Sequence, residues 1–152
     1  MIENSLEKLL WEMKIKSKVL LEVAKSFWLK VIPFETWRSR ARQQRLYTNK
    51  KPWQPVAKPG TSMHEKGKAV DWVFVNTKWQ VTWSGDYRTL TVLWAMCWVV
   101  PVPGESCHLQ DNWKTIVTIM TGNSKSWLAS KNKITQKQLS AVNTCFRKYW
   151  YK

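Results

Sequence analysis

Two histidines occur in the 152 residues, and each stands near an acid at a spacing that chemistry can use. His64 lies in SMHEKGKAVDW, seven positions ahead of Asp71, and His108 lies in PGESCHLQD, three positions after Glu105. Two imidazoles and a carboxylate form the donor set that holds a hydrolytic zinc and leaves a fourth position for water. A further carboxylate, not a ligand, can take a proton from the attacking water and return it to a leaving amine. His64, Asp71 and His108 suit the first role and Glu105 the second. Taken singly, each also fits a plainer part: a histidine hydrogen-bonded to a nearby aspartate, or an acid solvated on a loop.

These groups need elements to position them. AVDWVFV, residues 69 to 75, alternates and is rich in valine and aromatics, so a strand is expected to carry Asp71. Gly67 allows a sharp turn between His64 and that strand, and the small Ala69 leaves room near the ion. On a flat strand a spacing of three would point Glu105 and His108 to opposite faces. A bulge or turn near Pro103 and Gly104 is therefore required.

Upstream, apolar positions recur at helical spacing between about 3 and 30, as one long helix or two shorter ones. A short strand over 31–37 should deliver the chain to Arg38, and Ser39 should cap a helix through Tyr47. Three prolines and a glycine make 48–61 a loop. A buried helix is expected over 87–98, ended by Pro101, Pro103 and Gly104. Thr135 and Gln138 form a capping box ahead of Leu139, Val142, Phe146 and Tyr149, which predicts a terminal amphipathic helix. Helices flanking a few strands give an α+β class in a single domain.

Lysine and arginine outnumber aspartate and glutamate by 25 to 10, a net charge of +15 that favours polyanions and makes association sensitive to salt. No recognition module accompanies that charge, so no specific nucleic-acid binding is expected. The three cysteines are odd in number and share no metal-knuckle or C-x-x-C spacing, so neither a disulfide framework nor a cysteine zinc site is expected. Core packing is the expected place for most of the 12 tryptophans, with some left to stack on rings. The longest apolar run is too short to span a bilayer, and the N-terminus does not read as a signal peptide. The expectation is a chain made in the cytoplasm.

Ser62, His64, Gly67, Ala69 and Asp71 form S-x-H-x-x-G-x-A-x-D, followed downstream by an acid-x-x-His. Arg38, Ser39, Gln43, Leu46 and Tyr47 form R-S-x-x-x-Q-x-x-L-Y. Together they resemble the zinc D-Ala-D-Ala carboxypeptidase family, which includes vancomycin-resistance dipeptidases and phage L-alanyl-D-glutamate endolysins. The match runs from about 17 to 112, leaving 113–152 as a C-terminal extension.

The resemblance implies the hedgehog/DD-peptidase fold, a small antiparallel sheet flanked by helices with zinc in a cleft. His64, Asp71 and His108 would be its ligands and Glu105 the general base. Arg38 would hold substrate and steady the developing oxyanion, with Ser62 and Gln43 beside the substrate. The implied activity is hydrolysis of a peptidoglycan stem-peptide bond next to a D-amino acid. An L-alanyl-D-glutamate endopeptidase of phage type leads, and a D-Ala-D-Ala carboxypeptidase or dipeptidase follows. Such an enzyme would be a monomer, act on the wall after release across the membrane, and be drawn weakly to an anionic wall or outer membrane. A zinc-containing binding protein without turnover is the reading from another class; the presence of Glu105 and Arg38 argues against it. The sequence departs from the family pattern at Thr36-Trp37, where a glycine and an aromatic are usual, and at Cys107, Leu109 and Gln110 around the second histidine.

Overall fold

The computed structural model describes residues 2–96, 100–102 and 105–111, together with Ser140, Thr144, Arg147 and Lys148. Side chains at 95, 96, 100–102, 105 and 106 lie outside the described set. The expected terminal helix, its capping box and the basic extension fall mostly outside it as well.

Strand β2 (Ala69–Val75) spans the residues its alternation predicts. Val70, Trp72 and Phe74 point into the core, so Asp71 necessarily emerges on the opposite face. β1 (Val31–Glu35) runs antiparallel to β2, and β5 (Glu105–Gln110) pairs with the first half of β2 on its other side. β4 (Val100–Val102) completes the order β1-β2-β5-β4, while β3 (Val81–Thr82) pairs with the far end of β2.

Helix α1 (Trp11–Ser26) lays Met13, Val19, Leu20, Val23 and Ala24 on the core face of the sheet beside α3 (Tyr87–Met96), which contributes Leu90, Leu93 and Trp94. Burying each of the valine, leucine and methionine side chains stabilises the fold by about 1.5–3 kcal/mol relative to leaving it exposed. The apolar periodicity from residue 3 is split in two. A 3-10 turn (Leu6–Lys8), capped by Ser5, precedes α1, and Leu9 and Leu10 join them in extended conformation. α2 (Arg40–Thr48) begins where Ser39 accepts a hydrogen bond from the Arg42 amide. The region expected only to terminate a helix, around Pro101, instead forms β4 on the sheet edge.

Periodicity does not anticipate Lys16. It lies on the buried side of α1, 1% exposed, with its ammonium 2.6 Å from the Asp111 carboxylate at the end of β5. A charge so placed is tolerated because its counter-ion arrives from the far side of the fold.

The tryptophans correct an expectation. Among the described residues only Trp72 and Trp94 are buried, whereas Trp11, Trp28, Trp37, Trp53, Trp79 and Trp83 are exposed. Several sit at turns and strand ends, beyond the reach of the core; Trp83 packs edge-on against Phe34, and the Lys30 ammonium stands over Trp79. No described helix is long and apolar enough to cross a membrane.

The loop from Asn49 to Lys68 returns the chain to β2 through Gly67, whose φ is +65°. A Cβ at Gly67 would meet the backbone of Leu10 and Lys8 at 3.0 and 3.1 Å, because the Gly67 carbonyl accepts a hydrogen bond from the Leu10 amide. Gly67→Ala should therefore lower unfolding stability by about 1–2 kcal/mol, measured by urea denaturation. An unchanged midpoint would show that the loop accommodates a side chain without strain.

Candidate active site

Three strands place three ionisable groups in one row. Glu35 of β1 and His108 of β5 both stand opposite Asp71 of β2 in the pairing register. The row runs across the sheet on the face turned away from the core. His64 reaches it from the turn that precedes β2. Its backbone carbonyl accepts the amides of Arg38 and Gly67, which ties that turn to the segment following β1.

The donor atoms converge. His108 Nδ1 is 2.9 Å from Asp71 Oδ1, His64 Nε2 is 3.1 Å from His108 Nδ1, and His64 Nε2 is 3.3 Å from Asp71 Oδ1. Among the described residues this is the group that could hold a metal ion. Neighbouring ligands around tetrahedral zinc, with bonds of about 2.0–2.1 Å, stand roughly 3.3 Å apart, so the triangle has the right size. Its chemistry fits too. His64 Nδ1 lies 2.8 Å from the Thr36 carbonyl, which can only accept, so that nitrogen carries a proton and Nε2 is left to face the centre. Nitrogen and carboxylate lone pairs at such separations need a proton or cation between them.

Burial alone would push the Asp71 carboxyl up; with the two imidazoles protonated in place of a cation, hydrogen bonds from His108 and His64 and their charge outweigh that and hold it well below the usual carboxylate range. Asp71 is thus anionic throughout physiological pH, as a ligand must be.

A cleft of about 580 Å³ opens over the row, lined by Arg38, Arg42, Ser62, His64, Asp71 and His108 among others. Arg38 donates from Nη2 to Glu35 at 2.6 Å and to Asp71 at 3.5 Å, and from Nη1 to Gln43 at 2.9 Å. Gln43 is fully buried and passes its own amide hydrogen to the Ala57 carbonyl, so it stands behind Arg38 rather than facing the cleft. Ser62 is buried at the cleft wall. Glu105 opens β5 opposite Val102, where the register of β4 against β5 shifts; the irregularity needed between Glu105 and His108 is present in the backbone. Its side chain is outside the described residues.

Two residues of the site escaped the sequence reading. Glu35, 3% exposed, receives both Arg38 and Arg42, the latter through Nε at 2.5 Å. An acid ending the otherwise apolar strand VIPFE, three residues before Arg38 of the Arg-Ser motif, was the available signal. Arg42 lies in the first turn of α2 and borders the cleft.

No protein-family model matches the chain, and neither does any curated protein sequence. Solved structures do match. VanYB in complex with D-alanine-D-alanine superposes with a TM-score of 0.57 at 18% identity, covering 90% of this chain and 91% of that one. The vancomycin-resistance D,D-pentapeptidase VanY in complex with Zn(II) gives 0.54 at 20% identity, over 74% and 81% of the two chains. The L-Ala D-Glu endopeptidase ChiX of Serratia marcescens gives 0.53 at 20% identity, over 72% and 85%. The chain has the VanY-like DD-peptidase fold. The α+β class and the small antiparallel sheet flanked by helices agree with the expectation from the two motifs.

Within this DD-peptidase fold, Glu35 supplies a test of the cleft wall. Burial would raise its carboxyl, but hydrogen bonds from Arg38 and Arg42, and their charge, hold it below the ordinary 4.5. A depressed folded-state value stabilises the fold fully above pH 4.5 and loses that contribution as pH falls through the lower folded value. Glu35→Gln should cost on the order of 2 kcal/mol at neutral pH. The gap from wild type should close below pH 4.5 in urea titrations; a pH-independent gap would assign the loss to packing alone.

Proposed function

We propose that the chain is a zinc-dependent peptidoglycan peptidase that hydrolyses a stem-peptide bond next to a D-amino acid. The observation that carries this reading is the His64–Asp71–His108 triangle at the floor of a cleft walled by arginine. An L-alanyl-D-glutamate endopeptidase of phage type is the leading form. A D-Ala-D-Ala carboxypeptidase is the second, supported by the overlap with VanYB along nine-tenths of both chains.

His64, Asp71 and His108 would hold the zinc. When bound, zinc supplies a Lewis acid that polarises the scissile carbonyl and makes a water acidic enough to attack at neutral pH. Glu105 is assigned the proton that this water gives up as its oxygen bonds to the carbonyl carbon. The same carboxyl then returns the proton to the amide nitrogen as the C–N bond breaks, so that the amine leaves neutral. Arg38, fixed by Glu35 and Gln43, faces the negative charge that develops on the carbonyl oxygen. Its alignment precedes the reaction, so little reorganisation is needed at the transition state. The Thr36 carbonyl keeps His64 in one tautomer and one orientation.

The net charge of +15 supports attraction to anionic wall polymers, weakening with salt. Synthesis in the cytoplasm and delivery to the wall across the membrane complete the proposal.

Glu105→Gln should retain about one zinc per chain by elemental analysis while its turnover of purified peptidoglycan falls about 10²–10⁴-fold. His64→Ala should lose both metal and activity, and a chelator should abolish wild-type hydrolysis. Mass spectrometry of the released fragments names the bond. Intact walls after incubation with zinc-loaded protein would end the peptidase reading.

A further inference from the structure

Arg38 and Arg42 converge on one carboxylate, and their remaining donors differ. Arg38 is nearly spent: its Nη2 serves Glu35 and Asp71, one Nη1 hydrogen serves Gln43, and its Nε is buried with no partner among the described residues. Arg42 gives Nε and one Nη2 hydrogen to Glu35, the side-on pairing of a guanidinium with a carboxylate. Of its five N–H donors, the end-on fork of Nη1 and Nη2 is left over by its partners among the described residues. The side chain is 22% exposed and borders the cleft. Both guanidiniums lean on Glu35, and Arg38 has Asp71 as a second, more distant acid, whereas Arg42 has Glu35 alone among the described residues.

We infer that Arg42, anchored by Glu35, is a specificity-determining residue whose free fork binds a carboxylate of the substrate. The inference deepens the peptidase reading and rests on it for the identity of the peptide. In both bonds considered above, the residue that departs with the new amine carries a free α-carboxylate on the carbon next to the scissile nitrogen: the glutamate of L-Ala-D-Glu and the last alanine of D-Ala-D-Ala. A planar fork held side-on by a buried acid suits such a group, whereas an ammonium offers a point charge without the geometry. A stem whose α-carboxylate is amidated presents N–H groups to N–H groups and forfeits the contact. Selection between free-acid and amidated stems is the consequence.

Binding tests this without requiring turnover. NMR titrations of the full chain would compare L-Ala-D-Glu with its α-carboxamide, and D-Ala-D-Ala with its C-terminal amide. Wild type should bind the free acid of at least one pair about 10- to 100-fold more tightly than the amide. That ratio should collapse toward one in Arg42→Ala and be intermediate in Arg42→Lys, which keeps the charge and its attraction to Glu35 but not the fork. Melting curves for both variants establish that they are folded. Equal affinity for acid and amide in wild type, no binding of any of the four, or a ratio that survives Arg42→Ala would overturn the inference. A preference for the acid in a protein that leaves peptidoglycan intact would remove the peptidase and keep the carboxylate site.

Discussion

Asp71 is the constraint around which the rest of the site is arranged. The strand that carries it needs valine and aromatic side chains on one face to bind the helices, and alternation then delivers a carboxylate to the other face, largely out of water. A buried anion persists only if the fold surrounds it with donors or cations. Here that need is met from three directions: His108 across the sheet, His64 from the preceding turn and Arg38 from the loop after β1. The geometry that satisfies the anion is also the geometry that suits a divalent ion. Stability of the sheet face and competence for metal binding thus have one origin.

A second layer of order surrounds that centre and is built from opposite charges in sequence: Asp71, Arg38, Glu35, Arg42. Each guanidinium is held by an acid that is itself held, so the cleft wall resists the rotamer freedom that long side chains normally retain. Gln43 supports the chain from behind through the Ala57 carbonyl, which couples α2 to the proline-rich loop beyond it. In place of the glycine usual in the resembled motif stands Thr36, and its hydroxyl donates to the carbonyls of Glu3 and Ser5, contacts that glycine could not make. The departure thus strengthens the turn that presents Arg38.

Local pattern made much of this legible. The alternation of AVDWVFV placed β2 to the residue, the Ser39 cap placed the start of α2, and the spacing from His64 through Gly67 to Asp71 named the groups that meet. What stayed hidden depends on partners distant in the chain. Glu35 is one acid among ten until pairing puts it opposite Asp71, and Lys16 looks like an error in an apolar stripe until Asp111 arrives 95 positions later. Tryptophan was misleading for another reason: a large ring with a polar edge is as content at a turn as in a core, so its abundance does not say where it lies.

The N-terminal segment has a role that its distance from the row of ionisable groups disguises. Carbonyls of Glu3 and Ser5 grip Thr36, the Thr36 carbonyl orients the His64 ring, and the Leu10 amide clasps the Gly67 turn on which that ring is mounted. Breathing of this strap would be felt as rotational freedom of an imidazole, so the affinity of the centre for its ion is linked to how firmly the first ten residues stay laced to the loops beneath them.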